Sequence, residues 1–360
     1  MTILEKIVIS DFRNIQLQEL EFSPNVNCIS GNNGEGKTNL LDAIYYMAMT
    51  KSAFAASDKF NLRHGAEEFS LAATYRMENG LSSRFALKMT AKGDKKIRRD
   101  DKPYQKISEH VGVLPVVMVS PADVSMVSES GEERRRFVNA VLSQMDREYM
   151  SAMQQYNRLL LQRNTILKES DPDRSLMEVI DMRMSMLAEP IYQSRKNFVE
   201  QLKPIVAEYY KALSGDSEQV DIEYESELSK AGLDQLLASS FERDRIMKHT
   251  TVGIHRDDFA FRMNGHPIRR YGSQGQQKSF LVSLKFAQYE IMKKNYGFAP
   301  ILLLDDVFSE LDETRRKYIL SKIKGRQIIV TSCEPDVIPV NDTDGDVTFR
   351  HVENGVVTKD

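Results

Sequence analysis

Residues 31–38 read Gly31-Asn32-Asn33-Gly34-Glu35-Gly36-Lys37-Thr38 and match G-x-x-x-x-G-K-[ST] at every fixed position. The chemistry needs these residue types. Glycines let the backbone wrap and aim its N–H groups at phosphate oxygens, and a helix starting here adds partial positive charge. In such a loop the lysine reaches the β and γ phosphates of a nucleoside triphosphate, and the threonine hydroxyl ligates a divalent cation. A second group lies far along the chain, where Ile301-Leu302-Leu303-Leu304 ends in Asp305 and Asp306. An unbroken apolar run suits a central parallel strand covered on both faces. Ligands of open α/β sheets sit at the C-terminal ends of the strands. Asp305 is therefore expected near Lys37, holding Mg²⁺ through water, with Asp306 set to orient or deprotonate an attacking water. The third group, Ser273-Gln274-Gly275-Gln276, precedes an amphipathic helix bearing Leu281, Leu284, Ile291 and Met292. It reads as a second anion-binding helix start. One nucleotide does not need two such cradles from one subunit.

The elements that must carry these groups are legible as pattern. Residues 3–10, 15–22 and 25–29 alternate as three short strands, and 37–50 reads as a helix with apolar Leu40, Leu41, Ile44, Tyr45 and Met47. Residues 69–90 form a hairpin around Asn79-Gly80. From 132 to about 213 the text is helical, with breaks at Pro172 and Gly215 and with Pro190 and Pro204 as caps or kinks. A strand at 220–224, a polar helix at 228–248 and a β-rich stretch at 252–263 follow. Then strand and helix alternate as in a parallel α/β sheet: helix 276–294, strand 300–304, helix 312–324, strand 326–331. The long helical insert thus divides one α/β domain, whose start carries the glycine loop and whose end carries the acidic strand. The expected boundaries are 1–125 for the first part, 126–248 for the helical arm and 249–360 for the second part.

Composition narrows the class. The chain has 360 residues, 41% of them apolar and 28% charged, which excludes wholesale disorder. A net charge of −3 excludes a uniformly basic polyanion binder but not a basic face. Cys28 and Cys333 are too few for a disulfide framework or a zinc cluster, as expected in a reducing cytoplasm. No run of eighteen apolar residues suggests a membrane span, and Glu5 and Lys6 interrupt what a signal peptide would need.

The 271–279 stretch is similar to the signature loop of ABC-type ATPases, in which the signature of one protomer caps the γ-phosphate held by the other. Ser309-Glu310-Leu311-Asp312 looks like their D-loop, which crosses the same interface. Together with Asp11-Phe-Arg-Asn14, Val119-Ser-Pro-Ala-Asp123, Arg134-Arg-Arg-Phe137, Tyr156-Asn-Arg-Leu-Leu160, His255-Arg-Asp-Asp258 and Leu304-Asp-Asp-Val-Phe-Ser-Glu-Leu-Asp312, nearly the whole chain resembles the RecF family of the ABC/SMC ATPase superfamily. That resemblance implies an ABC-type P-loop ATPase head, with a mixed-sheet lobe and a parallel α/β lobe, interrupted by a helical arm. It implies ATP and Mg²⁺ as ligands and a homodimer formed on ATP through Ser273, Gln274, Gly275, Gln276, Ser309 and Asp312. It also implies binding of double-stranded, gapped and single-stranded DNA. Action with RecR, RecO and RecA would follow, in gap repair, replication restart and the SOS response. Lys37, Asp306, Ser273, Gly275 and Gln276 would carry a slow, DNA-stimulated hydrolysis. Asp306 stands where many ABC ATPases have Glu, and its shorter carboxylate would hold water less readily. The chain departs from the family at 50–57, where Lys51 is the only cation, and at Ile254, where a proline is usual.

Several constellations keep two readings. In the superfamily, residues at Arg13 and Asn14 contact nucleotide; a solvated turn is the plain alternative. The 88–106 segment has Lys88, Lys92, Lys95, Lys96, Arg98, Arg99, Lys102 and Lys106 against Asp94, Asp100 and Asp101. It could hold a phosphate backbone, above all through Lys92, Lys95, Lys96, Arg98 and Arg99, or be a solvated hairpin tip. Arg134, Arg135 and Arg136 point three ways from one helix, toward DNA or toward the ATPase domain. His255-Arg256-Asp257-Asp258 matches no metal-ligand spacing and reads as a hydrogen-bonding cluster. Tyr149, Tyr156, Tyr209 and Tyr210 read as arm core. A transporter ATPase fits less well, because a long helical arm separates Lys37 from Ser273 and no histidine follows the 326–331 strand. An SMC protein would need a far longer coiled coil.

Overall fold

The computed structural model of the chain describes residues 1–129, 131–169, 173–215, 218–310, 312–322, 325–334 and 347–359. Pro172, Leu311 and the expected helix end at 324 lie outside them. The chain forms two compact units, one from Met1–Asp123 with Lys285–Asp360, the other Val124–Leu284.

The first unit holds two sheets. Among the described residues, one is antiparallel, in the order Ile15–Glu21, Ile3–Phe12, Glu68–Arg76, Ser82–Thr90, Lys95–Arg99, Lys102–Pro103. Its strands alternate buried and exposed, so one face is core. The other runs Val356–Lys359, Val347–Glu353, Val26–Ser30, Ile328–Ser332, Ile301–Asp305, Val116–Val119. It is parallel except for the Val347/Val356 hairpin at one edge. Val26–Ser30, Ile301–Asp305 and Ile328–Ser332 are buried throughout, as strands covered on both faces must be. Gln327, buried ahead of its strand, donates to the carbonyls of Leu4 and Ser23 and accepts from the Leu4 amide, which ties the two sheets.

The helix Lys37–Met49 packs between the sheets through aromatic edges: Phe12, Tyr46 and Phe69 stand T-shaped at centroid separations of 5.1–5.9 Å. Its end is fastened twice. The His110 ring nitrogen Nε2 donates to the Met47 carbonyl at 2.7 Å, and Lys95 Nζ donates to the Thr50 carbonyl at 2.7 Å. Lys95 also pairs with Asp58 at 2.7 Å and lies over the Tyr46 ring. A cation at a helix C-terminus is favoured by the helix dipole.

The second unit contains the helices Gly131–Met145, Arg147–Ile166, Arg174–Ser214 and Leu233–Met247, and a sheet of Val220–Glu225, Asp258–Met263 and His266–Pro267. The long helix passes through both Pro190 and Pro204, so neither prolines ends it. The β-rich expectation at 252–263 holds only from Asp258. Residues 252–257 form a buried turn instead, because Gly253 takes φ 111° and the Ile254 carbonyl is taken by Arg195 at 2.7 Å. Tyr149, Tyr156, Tyr209 and Tyr210 are all buried.

Charged groups hold this core together. Arg195, 1% exposed, pairs with Asp257 at 2.7 Å and bonds Tyr149 and Asn139; Tyr224 donates to the same carboxylate at 2.5 Å. Arg163, fully buried, is shared by Asp181 and Asp244, each at 2.7 Å. Arg134 grips Asp258 with two bonds of 2.8 and 2.9 Å, while Arg135 donates to the Asp257 carbonyl at 2.7 Å. His255 accepts from the Tyr156 hydroxyl and donates to the Thr250 carbonyl, both at 3.1 Å, and burial lowers its pKa to about 4. The 255–258 run is therefore a packing motif within this unit. Removing one partner from a buried pair strands the other charge. Arg195→Met should cost about 3–5 kcal/mol in urea unfolding; a loss below about 1 kcal/mol would contradict this account of the core.

Candidate active site

The phosphate loop connects the buried strand Val26–Ser30 to the helix Lys37–Met49. Two of its glycines are sterically required. A Cβ on Gly31 would lie 2.4 Å from the Val352 carbonyl oxygen, and one on Gly36, at φ 109°, would lie 2.7 Å from the Asn14 amide nitrogen. Lys37, 6% exposed, donates to the carbonyls of Gly31 at 2.5 Å and Asn32 at 2.8 Å. Its ammonium thus curls under the loop that it would share with phosphate.

The acidic strand ends beside this loop. Thr38 Oγ1 donates to the Asp305 carboxylate, with 2.8 and 3.0 Å to its two oxygens, and Thr331 Oγ1 reaches Oδ1 at 2.7 Å. Asp305 is 5% exposed, and burial raises its pKa against the opposing hydrogen bonds of Thr331 and Thr38. Asp306 adopts φ 50°, a strained value for a residue with a Cβ, while its amide bonds the Thr331 carbonyl at 3.0 Å. Its Oδ1 is buried with no hydrogen-bond partner. A cavity of about 320 Å³ joins these groups, lined by Asn33, Gly34, Gly36, Lys37, Thr38, Asn39, Pro121, Asp305 and Asp306. A hydroxyl and a carboxylate side by side at the end of the phosphate loop could hold a divalent cation whose other ligands come from phosphate. Asp306 lines the same cavity, and its buried Oδ1 is an acceptor without a protein partner. No cluster of three or more His, Cys, Asp or Glu that could hold a metal occurs among the described residues.

The neighbours of the loop serve as its frame. Arg13, at φ 52°, pairs with Asp42 at 2.7 Å and donates to Asn61, Asn39 and Ser52. Its guanidinium is held by the protein itself. Asn14 donates weakly to the Glu35 carbonyl at 3.4 Å and accepts from Asn39 at 2.8 Å. Three further residues were not anticipated from sequence. Cys333 lies 3.5 Å from Lys37 Nζ and 3.1 Å from the Asn33 side-chain oxygen. It follows directly on a parallel strand, so the strand-end rule that located Asp305 could have found it. Asn354 and Gly355, at the tip of the edge hairpin, bond the Glu35 carboxylate and, at 2.8 Å, the Glu35 carbonyl. No pattern in the sequence signals that contact.

The other expected residues lie elsewhere. In the second unit, Ser273 and Gln276 cap the helix Gln274–Tyr296 reciprocally: the Ser273 amide donates to Gln276 Oε1 at 2.6 Å and the Gln276 amide to Ser273 Oγ at 3.3 Å. Ser273, Gln274 and Gly275 are exposed, and nothing lies within 4 Å of the place a Gly275 Cβ would take. In the first unit, Ser309 Oγ donates to the Asp306 carbonyl at 2.7 Å, and Asp312 caps the helix Glu313–Lys322 by accepting from the Arg315 amide at 2.9 Å. On the strand Lys95–Arg99, Lys96 and Arg98 are exposed, as is Lys92 before it. Lys95 and Arg99 alternate to the other face, Lys95 bound as described and Arg99 over the Phe85 ring.

Residues 3–358 match the family model described as RecF/RecN/SMC N terminal domain. The DNA replication and repair protein RecF of Parabacteroides distasonis is 42% identical over 332 residues, 91% of each chain. That of Bacteroides fragilis is 38% identical over 363 residues, 99% of this chain and 98% of its own. A solved structure of the recombination mediator protein RecF with ATP, in the RecFOR pathway, superposes with TM-score 0.92 at 31% identity, covering 99% of this chain and 97% of its own. The Smc head domain of Pyrococcus furiosus, at TM-score 0.58 and 16% identity over 99% and 96% of the two chains, shares the fold.

Burial holds the Asp305 proton more tightly in the folded chain than in the unfolded one. Stability of the nucleotide-free protein should therefore fall as pH rises above the ordinary carboxylate value of 3.8, and stay reduced at neutral pH. Asp305→Asn keeps the shape without the buried charge. Its nucleotide-free melting temperature at pH 7 should exceed that of the unaltered chain, and the gap should close in acid. A lower melting temperature at pH 7 would contradict the assignment.

Proposed function

The chain belongs to the RecF family of DNA replication and repair proteins, within the RecF/RecN/SMC ATPases, and from that premise we propose that it is an ATP-operated, dimerising DNA-binding mediator of recombinational gap repair. The observation that carries the reading is the convergence of Thr38, Asp305 and Asp306 in one cavity at the phosphate loop. Lys37 would exchange the Gly31 and Asn32 carbonyls for the β and γ phosphates of ATP. Residues 31–36 would surround the phosphates with backbone amides, with Arg13 and Asn14 bracing them from behind. When bound, Mg²⁺ would be held by Thr38 and, through water, by Asp305, and would supply charge neutralisation on the phosphates. Asp306 would orient the attacking water. Its short side chain and strained backbone favour slow turnover, suited to a switch.

Ser273, Gly275 and Gln276 would cap the γ-phosphate held by a second copy, with Ser309 and Asp312 along the same contact, so that ATP closes a dimer and hydrolysis opens it. DNA, whether duplex, gapped or single-stranded, would bind the closed form, with Lys92, Lys96 and Arg98 as the exposed cations of the basic segment. RecR, and through it RecO and RecA, would be the partners, in the cytoplasm. No described helix is long and apolar enough to cross a membrane.

The capping bonds of Ser273 supply a separable test. Aspartate caps a helix as well as serine does, but it would set a negative charge against the γ-phosphate. Ser273→Asp should keep the melting temperature and ATP affinity, and lose ATP-dependent dimerisation in sedimentation velocity with Mg²⁺. Lys37→Ala should lower ATP affinity by at least about a hundredfold, or ~2.7 kcal/mol. Full dimerisation of Ser273→Asp on ATP would remove the composite site from the proposal.

A further inference from the structure

The second unit carries a groove with no part in nucleotide chemistry. It runs between the first half of the helix Arg174–Ser214 and the helix Leu233–Met247, encloses about 590 Å³, and is floored by the buried Met177 and Leu237. The lining positions recur at helical spacing on both walls, at 174, 177, 178, 181, 182, 185 and 186 on one and 234, 237, 238 and 241 on the other. Its rim is apolar where a surface is normally polar. Met186 is 72% exposed and Met182 58%, and on the same helix Val179 and Leu176 are about half exposed. Exposed methionines at the rim of an apolar groove point to a contact site. Methionine is the side chain best suited to mould itself to a partner.

The charges select the partner. Glu178 and Asp234 stand on opposite walls, exposed, and neither is in an ion pair among the described residues. Asp181 is committed to Arg163. Among the described lining residues the one cation, Arg174, is 4.9 Å over the Phe241 ring and 3.5 Å from Glu242. An apolar trough with one unpaired carboxylate on each wall fits a helix with an apolar stripe flanked by Lys or Arg. We propose that this groove is a docking site for a basic amphipathic helix of a partner protein.

The probe is a fluorescein-labelled helical peptide with Leu at i, i+3, i+4 and i+7 and Lys at the flanking positions, titrated into the full chain by anisotropy. A second peptide has the same Leu positions and Glu in place of Lys. The Lys peptide should bind saturably, and the Glu peptide at least about tenfold more weakly. Glu178→Lys with Asp234→Lys should reverse that order. Met182→Glu with Met186→Glu, at positions too exposed to unfold the chain, should reduce Lys-peptide binding at least about tenfold, with an unchanged melting temperature as the control. Equal binding of both peptides, no saturable binding, or an order unmoved by the charge reversal would overturn the proposal. So would nucleotide-independent self-association abolished by the Met182/Met186 variant, which would make the occupant a second copy.

Discussion

The Asp305 carboxylate accepts hydroxyl hydrogens from Thr38 on the phosphate loop and Thr331 on the neighbouring strand while being 5% exposed to solvent. This bond set fixes the loop relative to the parallel sheet. Asp305 ends a strand whose Leu302 to Leu304 are buried completely, so the carboxylate cannot move toward water without lifting the strand out of the core. Keeping a charge there is costly, and the raised pKa states that cost. A divalent cation would offset it.

Support for that carboxylate extends outward in layers. Thr38 is held by the helix Lys37–Met49, the helix by the Phe12, Tyr46 and Phe69 edges, and its end by His110 and Lys95. Arg13 and Asp42 fix the segment that follows the helix, with Ser52 and the Ala53 amide bonding the same Asp42 carboxylate at 2.7 and 2.8 Å. The loop is thus held from beneath, beside and behind by packed side chains and hydrogen bonds, a preorganised frame. The second unit combines aromatic packing, such as Tyr224 stacked on Phe259 at 5.0 Å, with the buried ion pairs of Arg163 and Arg195.

Much of the site could be read before any coordinates, for a physical reason. The phosphate loop and the acidic strand are each contiguous, and the rule that ligands gather at parallel strand ends joins them although Thr38 and Asp305 are 267 residues apart. Contacts made by isolated residues could not be read. Lys95 sits in a run of cations and looks like its neighbours, but strand alternation turns it inward to the Thr50 carbonyl while Lys96 faces solvent. The strand Val116–Val119 has four residues after Pro115, too few to show a period of its own. The Asn354–Gly355 tip reaches Glu35 across 319 residues with no sequence mark on either side. The turn at 252–257 suggests a strand, and the positive φ of Gly253 with the Arg195 bond to Ile254 shows why it is not one.

The central claim is that Thr38 and Asp305 form a cation site that works only with a nucleotide's phosphates. Its direct measurement is calorimetric titration of ATP into the chain with Mg²⁺ and with excess EDTA, repeated on Thr38→Val. The account predicts that Mg²⁺ tightens ATP binding at least about tenfold in the unaltered chain, ~1.4 kcal/mol, and that Thr38→Val loses most of this gain. Equal ATP affinity with and without Mg²⁺, or an undiminished Mg²⁺ effect in Thr38→Val, would contradict it.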